Sequence, residues 1–342
     1  MEVYFLDVGQ ATCQILLLGG RRAIVVDCGT RNDRLALQFL KRFGVEYITR
    51  LILSHSHNDH IGGATGILGE YQDRIEQICF VQDDLFLGSH FWARISELLK
   101  TGVMAKQQLI RLERTARPQV IWSDAVSQAK LCTHSPCPAE NLLAQEAEQS
   151  NPTSAVLFLD CGPHRIVFAA DSEITQWKEI SSRVGHTIRC NVLAVPHHAG
   201  RSHQSPEELQ WLFTQAIRPE VAVISVGTSN THDHPREDVI EAIRAVHTTI
   251  LCTQITRKCC ANLEALRPGV LRPVKLLGRS STKRDLTPRG HSRNVACVGT
   301  VLVHVTPTTL VVDGIDQHQK AVDQLADKPY GYPLCRPKIV RD

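Results

Sequence analysis

Within six positions, His55-Ser56-His57-Asn58-Asp59-His60, the chain gathers three imidazoles and a carboxylate directly after an apolar run at 49–53. Packing alone has no use for such a cluster, because buried polar groups need partners and these would compete for the same ones. Imidazole and carboxylate are the donors that suit Zn²⁺, Mn²⁺ and Fe²⁺. Alternate positions let His55 and His57 face one ion, while Asp59 and His60, one step further around the turn, face a second. Gly62-Gly63 permits the tight backbone path that this requires.

Two ions need further donors, and later segments supply them in a repeated context. Asp171 follows the apolar run 166–170, His197-His198 follows 192–195, and His234 follows the run that ends at Val226. Any one of these alone reads as a turn residue or an ordinary surface histidine. Their recurrence at separate strand ends describes a site built on one rim of a sheet. The expected metal ligands are therefore His55, His57, Asp59, His60, Asp171, His197 and His234, holding two divalent ions with Zn²⁺ preferred over Mn²⁺ or Fe²⁺.

The frame around these positions alternates strands and helices. Runs at 3–8, 14–18 and 23–26 read as strands, the last two as a hairpin about Gly19-Gly20. A helix is expected at 34–43 with Gly44 as its C-cap. Strands follow at 155–159, 165–169, 192–195, 221–226 and 250–252, with helices at 206–216 and 238–246. This is a layered α/β pattern. The polar stretch at about 66–150 reads as a partly helical insertion, and 1–255 as the catalytic domain. Residues 256–342 read as a basic C-terminal extension containing one strand pair, at 299–305 and 309–312, and a proline-containing tail.

Charge supports that division. From Arg257 onward there are 15 Lys/Arg against 7 Asp/Glu, leaving 23 against 28 before it, so a net charge of +3 conceals a basic last quarter. A basic surface suits a polyanion, although a solvated face has the same signature. Aromatic residues make up only 5% of the chain, which argues against extensive base stacking on single strands. No run of about 18 apolar residues is present that would span a bilayer, and residues 1–7 lack the pattern of a secretory leader. A cytoplasmic protein with no membrane association is expected. The 12 cysteines then read as reduced thiols or ligands rather than a disulfide framework. Cys252, Cys259, Cys260 and Cys297 flank the basic segment and would suit a structural zinc, with His291 as a further donor, against the simpler reading of buried thiols. Cys132 and Cys137 around His134 invite the same question at lower specificity.

Taken together, the motifs resemble the metallo-β-lactamase superfamily, whose signature is His-x-His-x-Asp-His. Within it the chain is most similar to the nuclease-like domain of the competence protein ComEC and its soluble relatives. The resemblance rests on Phe5-Leu6-Asp7-Val8-Gly9-Gln10-Ala11, Asp27-Cys28-Gly29, the loop from His55 to Gly63, Asn151-Pro152-Thr153-Ser154, Pro196-His197-His198-Ala199-Gly200 and the stretch from Asn230 to Pro235. It implies an αββα sandwich and metal-assisted hydrolysis, with a phosphodiester of DNA or RNA as the expected substrate. Asn151 stands where the wider superfamily has a third histidine, so the first ion is expected to have fewer ligands than the second. Asp59 would orient the attacking water and His198 or His232 protonate the leaving oxygen, with Asn151, Ser154 and Ser202 holding substrate oxygens. The same fold hosts many chemistries. The alternatives are hydrolysis of a small ester, lactone or cyclic nucleotide, or a metal-stabilised subunit of a multiprotein system such as antiviral defence. Protein partners are not indicated by the sequence.

Overall fold

The computed structural model describes the chain except residues 31–33, 83, 141–150, 202–203, 229, 263–294, 330 and 337–342. Ser202, His291 and most of the basic segment therefore lie outside the described residues.

Fifteen strands are described: β1 (Glu2–Phe5), β2 (Gln14–Gly19), β3 (Arg22–Val26), β4 (Tyr47–Leu53), β5 (Ile78–Phe80), β6 (Leu109–Arg111), β7 (Gln119–Asp124), β8 (Ala129–Ser135), β9 (Val156–Cys161), β10 (His164–Phe168), β11 (Ile188–Ala194), β12 (Ile217–Ile224), β13 (Thr249–Cys252), β14 (Val301–Val305) and β15 (Leu310–Val312). They form an eight-stranded sheet, β15-β14-β1-β2-β3-β4-β5-β6, and a seven-stranded sheet, β13-β12-β11-β10-β9-β8-β7. Strands β3 to β6 run parallel to one another, as do β10 to β13. The hairpin expected about Gly19-Gly20 is present as β2–β3.

The inner faces meet in one apolar layer that includes Val3, Phe5, Ile24, Ile52, Leu157, Phe168 and Val223. Outside the first sheet pack α1 (Leu35–Arg42), α3 (Ala64–Tyr71) and α5 (His90–Lys100); between these elements lie the short α2 (Asn58–Ile61) and α4 (Asp84–Leu87). Outside the second pack α6 (Ile174–Val184), α7 (Pro206–Trp211), α8 (Glu237–Arg244) and α9 (Ile315–Ala326). The layers run α-β-β-α, as the strand patterning requires. In β9, for example, Val156 and Phe158 face the helices while Leu157 and Leu159 face the other sheet. Such double burial reads as an unbroken apolar run rather than an alternation.

Two regions differ in detail from the sequence reading. The 66–150 stretch carries helices but also β5 to β8, which extend one edge of each sheet. β5 and β6 are only three residues long, and Lys130, Thr133 and Ser135 dilute the apolar pattern of β8. Beyond residue 255, β14 pairs with β1 in register from Glu2↔His304 to Phe5↔Val301, and Ala321 and Leu325 of α9 join the apolar layer outside the second sheet. His134 stacks on Phe158 at 3.9 Å between centroids, and the backbone N–H of Cys137 donates to Glu140 Oε2. Among the described residues neither belongs to a group of metal donors.

Candidate metal centre

Parallel strands aim their C-terminal ends at a common edge, and the functional side chains follow those ends. Asp27 follows β3, His55 follows β4, Asp171 follows β10, His197 and His198 follow β11, and His234 comes from the loop after β12. His57 is the N-cap of α2, so Asp59 and His60 lie within one helical turn. The loop is pinned at both sides: Thr12 N–H donates to the Asp59 carbonyl at 2.9 Å and Cys28 N–H to the His60 carbonyl at 2.6 Å. A Cβ on Gly63 would run into the Cys28 carbonyl, so only glycine lets the two loops lie this close.

Two triads of donor atoms result: His55, His57 and Asp171, and Asp59, His60 and His198, each with its ligand atoms within 4.8 Å of one another. Asp171 stands between them. Its Oδ1 lies 3.1 Å from His60 Nε2, and its Oδ2 lies 3.6 Å from His55 Nε2 and 3.7 Å from His197 Nε2. His198 Nε2 lies 3.3 Å from Asp59 Oδ2.

The outward nitrogens are set by what holds the inward ones. His60 Nδ1 sits 2.7 Å from Asp27 Oδ2, and Asp27 itself accepts from Ser54 N–H at 2.8 Å and Ser54 Oγ at 2.7 Å. His198 Nδ1 donates to the Ser225 carbonyl at 2.7 Å. His55 Nδ1 lies 3.2 Å from Ser54 Oγ. Committing Nδ1 in this way leaves Nε2 with a lone pair facing the centre, the arrangement that metal-binding histidines require. His55 Nε2, His60 Nε2 and Asp171 Oδ1 are buried and hydrogen-bonded to none of the described residues. Buried polar atoms without a partner are costly, and a divalent cation resolves all three at once. The donors fit such an ion.

Electrostatics agree. Burial disfavours a charge on His60, yet Asp171 and Asp27 outweigh it and hold its pKa well above the usual imidazole range. Burial would raise Asp171, but His60 and His55 hold it well below the carboxylate range. Burial and the neighbouring His60 push His55 well below an ordinary imidazole. Asp59 is lowered because hydrogen bonding to His198 and the charge of His60 overcome burial.

His197, His198 and Ala199 take φ of 51°, 54° and 58°, all in the left-handed region. Each such residue is disfavoured by about 1–2 kcal/mol. The turn carries the His198 ring inward, 3% exposed, and leaves the His197 side chain about a quarter exposed. No pattern in the sequence tells which of two adjacent histidines turns inward. His234 differs from the inner three. Gln10 Oε1 accepts from Gly227 N–H at 3.2 Å, so its Nε2 donates to His234 Nδ1 at 3.0 Å. Burial, with His198 and His197 nearby, lowers the His234 pKa to about 4. A neutral imidazole that accepts at Nδ1 carries its proton on Nε2. Asn230 braces the ring's backbone, donating to the His234 carbonyl and accepting from its N–H, and a Cβ on Gly200 would come within 2.5 Å of His234 Nε2.

Of the remaining expected residues, His232 is exposed at the rim, 5.6 Å between centroids from His234. Asn151 begins a 3-10 turn before β9, and Ala155 N–H donates to the Ser54 carbonyl, which seats this turn against the residue before His55. Asn151 Oδ1 and Ser154 Oγ are buried without a hydrogen-bond partner among the described residues. Asp27 is the functional residue that a reading of side-chain types misses. One carboxylate carries no signal by itself, and only the family-like segment Asp27-Cys28-Gly29 marked it. Replacing Asp27 with Asn should lower metal affinity about 10–100-fold, since partners that orient a ligand ring commonly matter that much. Competition with a chromophoric chelator measures it, and an unchanged affinity would refute the role.

Comparison with known proteins agrees with the fold. A family model described as the metallo-beta-lactamase superfamily matches residues 7–227. ComE operon protein 3 of Bacillus subtilis is 23% identical over 272 residues, covering 74% of this chain and 32% of that protein. Recombination protein 2 of Haemophilus influenzae is 26% identical over 267 residues, covering 76% and 29%. The matched region thus spans about a third of each relative. Among solved structures, the metallo-beta-lactamase fold protein YhfI from Bacillus subtilis superposes with a TM-score of 0.42 at 13% identity, covering 74% of this chain and 96% of that one. No described helix is long and apolar enough to cross a membrane. Because the family match takes in more than half of the chain, with the His55–His60 loop and Asp171 inside it, the protein belongs to the metallo-β-lactamase superfamily.

Proposed function

We propose that the protein is a metal-dependent phosphodiesterase acting on nucleic acid through a binuclear centre. The observation that carries this reading is the Asp171 carboxylate, whose two oxygens face His60 on one side and His55 on the other. His55, His57 and Asp171 would hold the first ion, and Asp59, His60, His198 and Asp171 the second. In this assignment His198 is a ligand and His197 stands at the edge of the first ion. Two bound divalent ions would supply Lewis acidity, lowering the pKa of water and neutralising charge on a phosphate.

The chain's own residues do the rest. Asp59, held by His198, fixes the geometry of the second triad. His234, with its proton on Nε2, faces the site as a hydrogen-bond donor rather than as a lone pair. It is therefore placed to stabilise charge on a leaving oxygen through a hydrogen bond that keeps its proton. Asn151 lies at the rim nearest His55 and is suited to hold a substrate oxygen. Nucleic acid is favoured by the basic last quarter of the sequence. The names of two relatives, Recombination protein 2 of Haemophilus influenzae and Competence protein ComA of Neisseria gonorrhoeae, support the same substrate.

Labelled single- and double-stranded DNA and RNA, incubated with metal-loaded protein, test this reading. Wild type is expected to cleave at least one of them, and a His57→Ala/Asp59→Ala variant none. Turnover of a small phosphodiester without any polymer cleavage would replace nucleic acid by a small-molecule substrate. Within the same assay His234→Gln should lower kcat by about 10²–10³-fold, the range for losing one positioned hydrogen-bond donor, with full metal content. A fall in metal content instead would make His234 a ligand.

A further inference from the structure

Far from this centre in sequence, four cysteines and a histidine converge from separate segments. Cys252 ends β13, Cys259 lies in the loop after it, Cys297 precedes β14, His318 is on α9 and Cys335 follows α9. Backbone bonds bring the segments together: Val298 N–H donates to the Cys252 carbonyl at 3.0 Å, Cys297 N–H to Thr253 at 2.9 Å, and Tyr332 N–H to Cys259 at 2.7 Å. The Cys335 thiol hydrogen-bonds with the side chains of Cys252 and Cys297, and its Sγ lies 3.5 Å from His318 Nε2. Cys259 lies near enough to interact electrostatically with the same three cysteines. Cys252, Cys259, Cys297 and His318 are each at most 8% exposed.

We propose that Cys252, Cys259, Cys297 and Cys335 bind a structural zinc ion, with His318 holding the Cys335 sulphur from outside the coordination sphere. Isolated buried thiols behave as small apolar side chains and need no company. Cys79 and Cys190 are buried at separate places in the fold in that way. Four cysteines and a histidine drawn from separate segments to the end of β13, with Cys335 Sγ 3.5 Å from His318 Nε2, is a different pattern. A closed, sulphur-rich set suits four-coordinate Zn²⁺, and each ligating thiol releases its proton to solvent as the ion binds. Cys260 is left out of the set: its backbone forms a bridge with Gly331. The long gap from Cys297 to Cys335 hides this site from any search for close Cys spacing. Its effect is to tie α9 and the segment after it to the end of β13.

Cobalt substitution distinguishes this ion from those of the His/Asp centre, which contains no sulphur ligand. Co²⁺-loaded wild type is expected to show near-ultraviolet thiolate-to-cobalt charge transfer, retained in His57→Ala/Asp59→Ala. Cys297→Ser/Cys335→Ser should lose it. Zinc K-edge absorption of the zinc-loaded wild type needs no variant, and should show a sulphur shell at about 2.3 Å. A spectrum fitted by nitrogen and oxygen alone would overturn the proposal, as would charge transfer that survives loss of both cysteines. Mass spectrometry after alkylation under denaturing conditions adds a further check. A disulfide joining two of these four cysteines in the freshly purified protein would also overturn it.

Discussion

Asp171→Asn should reduce kcat/KM for phosphodiester hydrolysis by at least about 10³-fold while the protein stays folded. The amide keeps the size of the side chain but removes the charge that stands between the two donor triads. A metal centre contributes several kcal/mol of charge stabilisation in a transition state, and each 1.36 kcal/mol is tenfold in rate. The loss is expected to appear in two readouts together. Turnover falls, and bound metal measured by elemental analysis drops below that of wild type, because His60 then faces a neutral amide. Far-ultraviolet circular dichroism should be unchanged. A variant that keeps activity within tenfold of wild type would show that Asp171 does not join two ions.

Trp177→Ala should destabilise the fold by about 3–5 kcal/mol, the range for removing a fully buried aromatic side chain. Trp177 is 0% exposed within the apolar layer outside the second sheet, and its Nε1 donates to Ser172 Oγ at 3.0 Å. Ser172 directly follows Asp171. The same helix places Gln176 at its first turn, where its amide donates to Ser135 Oγ at 2.6 Å and to the Ser154 carbonyl at 2.8 Å. Loss of the indole should therefore lower both the denaturant midpoint and metal affinity. Trp177→Phe, which keeps most of the packing, gives up about 1 kcal/mol for the hydrogen bond. A change below about 1 kcal/mol in the alanine variant would mean that the layer closes over the gap.

The layered fold was legible because doubly buried strands leave runs such as 155–159 that survive any choice of window. The His55–His60 loop was legible because its donors are contiguous. Asp171 and the histidine pair were found because each follows an apolar run that ends at the same rim. What was hidden depends on geometry that sequence does not carry. Whether His197 or His198 turns inward is decided by three consecutive left-handed residues. The partner that orients the His234 ring, Gln10, lies more than 200 positions away. Helix α9 was obscured because its buried stripe of His318, Ala321, Val322 and Leu325 begins with an imidazole. Strands β5 and β6 are too short for a period to show.

The pairing of β1 with β14 also bears on how the chain is made. Met1 and Val305 exchange backbone hydrogen bonds across a separation of 304 positions. A ribosome adding about 5–20 residues each second would expose β1 for roughly 15–60 s before that partner emerged. During this interval one side of β1 has β2 and the other has only solvent or a foreign strand. An unpaired, apolar edge of this kind is where chains associate wrongly. Slowing synthesis of the last third should therefore increase aggregation of nascent protein more than slowing the first, with both final products identical.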